Sequence, residues 1–288
     1  RIKRARRAVV IGGGITALEM AEGFAHHKLE THYFLRRDIL WASVFNAAES
    51  KLLEEQMREH GVRLHFNTEA AEIVGDARRR VTGVRLKSGE LVKCDLVGAG
   101  IGVKPQLDLL DGAGLRPLTF DSDNAGPLDV LWPTAVAQGR VAAANMAGGR
   151  SAYVKGTPFN ACLLFGLHIT AIGQLGGSRD ADEPEVVQHL SRGSSEVWAS
   201  RPRAYSSAWH QDGPNTLRLA LSGDRLAGAL VIGNQLAADA LRFLIEKQIN
   251  IRPLRPRLEG GGEDLGWLLH QLYLRLKDLP ADRLPVAA

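Results

Sequence analysis

The stretch "VVIGGGITALE", Val9 to Glu19, decides the fold. A short β-branched run, "AVVI", ends in Gly12, Gly13 and Gly14, and the residues from Thr16 to His27 then favour a helix. On that helix Leu18, Ala21, Phe24 and Ala25 share a face. "THYFL", Thr31 to Leu35, reads as a second strand. Strand, glycine turn, helix and second strand are the setting a dinucleotide-binding GxGxxA turn requires. Gly12 permits the tight turn, Gly14 lets the backbone approach a pyrophosphate, and Ala17 takes the small position where helix packs on strand. The helix N-terminus then offers N–H groups to the phosphates. The sequence therefore predicts an α/β chain with a Rossmann-like unit at its start.

The second strand decides which nucleotide. An acidic residue at its tip would accept hydrogen bonds from an adenosine ribose, but the tip reads Leu35, Arg36, Arg37. Two guanidinium forks suit a 2′-phosphate, which favours NADP(H) over NAD(H). The alternative is that both arginines are simply exposed at a strand end.

Outside this motif the composition is that of an ordinary globular protein, with 45% hydrophobic and 24% charged residues in 288. No apolar run approaches the roughly 20 residues a bilayer span needs, and no signal-peptide pattern is present, so the expectation is a cytoplasmic protein. The chain opens on Arg1 rather than methionine, which leaves room for an upstream domain. Five of the first seven residues, "RIKRARR", are basic, yet no aromatics interleave and no recognition motif follows. The segment reads as a solvated linker, and no nucleic-acid partner is expected. The two cysteines, Cys94 and Cys162, form no CxxC pair and read as small buried hydrophobes. The nine histidines lack metal-ligand spacing, and no metal is expected.

These motifs resemble the two-dinucleotide-binding flavoproteins, namely the pyridine nucleotide-disulfide oxidoreductases and their ferredoxin- and rubredoxin-reductase relatives. "VVIGGGITALE" is similar to the family's nicotinamide-nucleotide fingerprint, and the resemblance places Glu19 near the nicotinamide and flavin rings. "THYFLRR" is similar to the strand of NADPH-using members, with Arg36 and Arg37 as the phosphate-binding pair; Trp41 stands where a third basic residue is usual. "LVKCDLVGAGIGVKPQLDLL", Leu91 to Leu110, resembles the strand and turn that close the nucleotide domain. Its Gly100 and Gly102 allow close approach to a nucleotide, and Pro105 stiffens the exit. The preceding segment, His65 to Cys94, reads as a β-meander with a Ser88-Gly89 turn, as in the family.

A fourth stretch, "LWPTAVAQGRVAAANMAGG", resembles the helix whose N-terminal end faces the flavin. The resemblance puts Trp132, Thr134 and Gln138 nearest the ring. Its face of Ala135, Val136, Gly139, Ala142, Ala143 and Met146 is small enough for close packing. Two FAD anchors of the family do not occur in this sequence. One is a first GxGxxG. The other is a Gly-Asp strand end, for which "LRPLTFDSDNAGPLDVL", Leu115 to Leu131, offers only Asp121, Asp123 and Asp129, none after a glycine.

Towards the C-terminus, "TLRLAL", the turn "SGD" and "LAGALVIG" predict a hairpin. A helix from Asn234 to Gln248 should pack on it, with Asn234 as cap and Leu236, Ala240, Leu241 and Leu244 facing in. "DLGWLLHQLYLRLKDL" is an amphipathic helix that would dock on the protein's own core, a partner or a membrane surface. The expected organisation is a nucleotide domain at 1–105, a partial FAD-domain segment at 106–180, a small α/β domain at 190–260 and a helical tail at 261–288.

The resemblance implies an oxidoreductase passing hydride from NAD(P)H to FAD and then to a small molecule or small redox protein. Dimers are common in the family. The absent anchors keep two further readings open: a non-catalytic NADP(H)-binding or assembly module, and half of an enzyme completed by a separate FAD-domain chain.

Overall fold

The computed structural model describes residues 2–103, 108, 112, 132–154, 156–175, 206–212, 215–260 and 264–287. Pro105 and the Leu115–Leu131 segment with its three aspartates lie outside these residues. The first unit runs β1 (Arg7–Ile11), α1 (Ile15–His26), β2 (Glu30–Phe34), α2 (Ala47–Glu59), β3 (Val62–His65), β4 (Ala70–Gly75), β5 (Val81–Leu86), β6 (Leu91–Lys93) and β7 (Leu96–Ala99). β1, β2, β3 and β7 form a parallel sheet in the order β3-β2-β1-β7. β4, β5 and β6 form the expected antiparallel meander, and Gly89 takes φ +91° at its turn.

Alternation along β1 explains the layering. Val10 joins Ala17, Leu18 and Ala21 of α1 in one core, while Val9 joins Phe34, Val84, Leu86 and Val92 on the meander side. Both faces of the sheet are thus covered, as parallel sheets require. α2 begins with a capping box: Asn46 Oδ1 accepts from the Glu49 N–H, and Glu49 Oε2 accepts from the Asn46 N–H. Between β2 and α2 the chain dives inward rather than skirting the surface. Leu40, Trp41, Val44 and Phe45 are all buried, and the Trp41 ring meets Phe45 edge-on at 5.3 Å.

The second part comprises α3 (Trp132–Met146), β8 (Phe159–Leu164), β9 (Leu167–Gly173), β10 (Ser206–Asp212), β11 (Asn215–Ser222), β12 (Arg225–Ile232), α4 (Ala238–Glu246), α5 (Arg255–Gly260) and α6 (Leu265–Leu276). Its strands make an antiparallel sheet ordered β10-β11-β12-β9-β8. The period of two along these strands sends alternate side chains to opposite faces. Ile169 and Ala171 on β9 and Leu230 and Ile232 on β12 face the nucleotide unit's core. Leu217, Leu219, Ala229 and Val231 face α4 and α6 instead. β8 and β9, placed by sequence with a partial FAD segment, therefore share a sheet with the C-terminal hairpin. The final helix docks on this same core through Leu265, Leu268, Leu269 and Leu276, with Asp264 capping the Trp267 N–H.

Two sequence expectations are corrected. The helix expected over 234–248 spans only Ala238–Glu246, and Asn234 is not its cap. Asn234 Oδ1 accepts from the Leu236 N–H in a local turn, which leaves Leu236 62% exposed instead of facing in. The α3 helix forms as expected; on its small-residue face Val136 is half-buried, while Ala135, Gly139, Ala142 and Ala143 are exposed and Met146 is 88% exposed.

Candidate functional site

The site lies where β1 ends. Gly100 N–H donates to the Ile11 carbonyl at 2.8 Å, joining the ends of β1 and β7. Gly12 takes φ +140°, and a Cβ there would collide with the Gly100 carbonyl. A Cβ on Gly100 would in turn lie 2.8 Å from the Ala17 nitrogen. Gly12, Ala17 and Gly100 thus form a contact with no room for side chains, which holds α1 against the sheet edge. Gly14 differs. It is the N-cap of α1, with no side-chain cap bond and no acid in the first turn, and a Cβ there would meet nothing within 4 Å. The helix N-terminus is open for an anion.

Above it is a cavity of about 730 Å³. Gly12, Gly13, Gly14, Gly100 and Gly102 form its floor, Arg36 and Arg37 one end, and Glu19 another part of the wall. Ala17 is fully buried beneath the floor and acts through packing. At the arginine end the backbone is fixed on both sides: Leu35 N–H donates to the His65 carbonyl at 2.9 Å, and Thr68 N–H donates to the Leu35 carbonyl at 2.8 Å. Leu35 itself is buried, which turns Arg36 and Arg37 towards the groove. Trp41 contributes no charge here, because its side chain fills the core.

Sequence reasoning missed other wall residues, including Thr68, Glu69 and Asn160. Glu69 pairs with Lys87 at 2.7 Å, and that hydrogen bond holds its carboxyl below the usual range. Asn160 enters from β8, a strand distant in sequence, and no local motif marks it.

Glu19 is exposed on the side of α1 that faces β8. Three residues on, Glu22 Oε1 accepts the Phe165 N–H at 2.6 Å and ties α1 to the β8–β9 turn. Cys162 sits between: burial first, then the charges of Glu19 and Glu22, push its thiol up to about 12. Cys94 is buried as expected, and burial raises its thiol too. Both cysteines are free. Trp132, Thr134 and Gln138 lie on α3 and do not line the cavity, and Trp132 is 81% exposed.

Residues 1–129 match the model of the pyridine nucleotide-disulphide oxidoreductase family, the family that the glycine turn resembles. The chain is 22% identical over 282 residues to the NADH-dependent phenylglyoxylate dehydrogenase subunit epsilon of Aromatoleum evansii, covering 89% of this chain and 62% of that protein. It is 35% identical over 117 residues to the nitric oxide reductase FlRd-NAD(+) reductase of Aeromonas hydrophila, covering 40% of this chain and 29% of that one. Among solved structures, a ferredoxin reductase from Rhodopseudomonas palustris superposes with a TM-score of 0.69 at 19% identity, covering 95% of this chain and 66% of that one. The chain spans between 12% and 62% of the length of the curated relatives it matches.

The floor and helix N-terminus fit a nicotinamide dinucleotide. A flavin dinucleotide is not fitted in the same way: among the described residues there is one such glycine cradle, and the three residues expected beside the flavin stand outside its cavity. No group of three or more His, Cys, Asp or Glu residues that could hold a metal occurs among the described residues. None of the described helices is long and apolar enough to cross a membrane.

Proposed function

We propose that the chain is the nicotinamide-nucleotide-binding part of an NAD(P)H-dependent flavoprotein oxidoreductase, with NADP(H) preferred over NAD(H). The observation that carries this reading is the single cavity in which an open helix N-terminus, the Arg36–Arg37 pair and Glu19 come together. The backbone at Gly12–Gly14 and the N-terminus of α1 hold the pyrophosphate. Arg36 and Arg37 grip the 2′-phosphate with charge-assisted hydrogen bonds. Glu19 and the β8 wall orient the nicotinamide end and exclude water from it. The bound nucleotide supplies the hydride, so the chain needs no acid-base residue for that transfer.

Several parts of this reading go with the family: with Trp132, Thr134 and Gln138 outside the cavity, FAD would be held by a separate FAD-domain chain, where it would take the hydride and supply electrons to a small molecule or small redox protein. Gly102 borders the nucleotide site, and the stiffening role expected of Pro105 falls outside the described residues. The chain works as a cytoplasmic homodimer whose nucleotide domain ends near 105, while the segments beyond it, divided at 180 and 260 in the sequence reading, join through one sheet and one core. Support comes from the relatives, which include a FlRd-NAD(+) reductase and a ferredoxin reductase.

Calorimetric titration with NADPH and NADH, each with and without FAD, tests the proposal. Tight NADPH binding, at least about tenfold tighter than NADH, is expected of a paired 2′-phosphate. Failure to bind either nucleotide would overturn it.

A further inference from the structure

β8 alternates between two environments. Leu164 is buried in the core that contains Ala17, Leu18 and Ala21 of α1, and Cys162 packs against the same core. Asn160 lies two residues further along that face and reaches the nucleotide cavity. Phe159 points the other way, into the core beneath α4, with the Arg242 guanidinium 4.9 Å above its ring. The nearness of α1 is independently marked by the Glu22–Phe165 hydrogen bond and by the influence of Glu19 on Cys162.

Asparagine is disfavoured in strands, and a half-buried amide loses free energy unless its hydrogen bonds are made. Among the described residues, the Asn160 side chain has no hydrogen-bond partner, and neither has the Glu19 carboxylate. In the cavity lining α1 therefore presents a carboxylate, which accepts, and β8 presents an amide that both donates and accepts.

We infer that Asn160 is a specificity residue that reads the carboxamide of the nicotinamide ring, donating to its carbonyl oxygen while Glu19 accepts from its amide N–H. This assignment rests on the nucleotide-binding reading above. A primary carboxamide offers one acceptor and two donor hydrogens, and the two unpaired side chains, one on α1 and one on β8, supply what it needs. A ring lacking either group satisfies only one of them. The pair thereby fixes which face and edge of the ring are presented to an acceptor.

The test compares NADP⁺ with 2′-phospho-ADP-ribose, which is the same molecule without the nicotinamide ring. Asn160→Ala should weaken NADP⁺ about fivefold, the loss expected of one neutral hydrogen bond, and leave 2′-phospho-ADP-ribose unchanged. Asn160→Asp, of the same shape but unable to donate when ionised, should weaken NADP⁺ further and keeps the test valid where the alanine variant folds poorly. The 3-acetylpyridine analogue keeps the carbonyl and loses the amide. Its affinity should fall with Asn160→Ala but not with Glu19→Gln, whereas NADP⁺ should fall with both. Equal weakening of NADP⁺ and 2′-phospho-ADP-ribose, or no weakening of either, overturns the assignment of Asn160. Failure of the unsubstituted chain to bind 2′-phospho-ADP-ribose and ADP-ribose overturns the nucleotide reading itself.

Discussion

Arg218 on β11 reaches across from the second sheet to Glu49 on α2, its Nε donating to Glu49 Oε1 at 2.7 Å and its Nη2 to Oε2 at 3.2 Å. The same guanidinium donates to the Val44 carbonyl at 2.6 Å. Arg218 is 7% exposed and Glu49 0%. One ion pair thus joins the second sheet, the capping box of α2 and the buried loop that follows the arginine end of the nucleotide site. Removing one member leaves a charge in a dry setting. Arg218→Met should cost about 3–5 kcal/mol in chemical denaturation, and adding Glu49→Gln should recover much of that loss. A loss that remains undiminished in the double variant would show that shape rather than charge is at stake.

The glycine turn separates stability from binding. Gly12→Ala would force a side chain against the Gly100 carbonyl at φ +140° and should cost about 3 kcal/mol of stability. Gly14→Ala meets no protein atom within 4 Å. It should therefore leave stability within about 0.5 kcal/mol while weakening NADPH at least about tenfold, because the new methyl occupies the approach to the pyrophosphate. Thermal melts and titrations on the two variants read the two effects apart. Unchanged NADPH binding by Gly14→Ala would move the pyrophosphate elsewhere.

Arg36 carries the cofactor preference. Arg36→Glu replaces a charge-assisted partner of the 2′-phosphate with a repelling carboxylate, so NADPH affinity should fall about thirtyfold or more. NADH, which has no such phosphate, should change little. Equal losses for both nucleotides would return Arg36 to the role of an exposed strand-end residue.

What could be read beforehand follows a physical rule. The glycine turn was legible because Gly12 and Gly100 are fixed by backbone collision, and the meander because its alternation and the Ser88-Gly89 turn are local. The α2 helix was missed although Asn46 and Glu49 spell a capping box three residues apart. The buried course of Leu40 to Phe45 depends on α2 and the second sheet covering it, and no short window contains that fact. The β9–β12 pairing brings residues such as Ala171 and Leu230 together across more than fifty positions. Asn160 was invisible for the same reason: alone in an apolar strand, it acquires meaning only when β8 is laid beside Glu19. The small-residue face of α3 was read as small enough for close packing, but permission does not supply a partner, and most of that face is exposed.

The last prediction concerns acid. His32 on β2 and His65 on β3 stack at 5.0 Å, with His32 Nδ1 2.9 Å from His65 Nε2. Such a bond needs one nitrogen as donor and the other as acceptor, so at least one ring must be neutral. Burial, followed by the charge of His32, lowers the His65 pKa from its ordinary 6.5; Arg63 lowers it further and Glu90 opposes. The folded chain then binds this proton less readily than the unfolded chain. The stabilisation is complete above pH 6.5, declines as the pH falls below that value, and levels off beneath the lowered folded pKa. The His65 carbonyl also receives the Leu35 N–H beside Arg36, so a loosening here should reach the phosphate end of the site. Denaturation followed from pH 8 to pH 5 should show a loss of stability that His65→Gln reduces. An unaltered pH profile in that variant would assign the acid sensitivity to other groups.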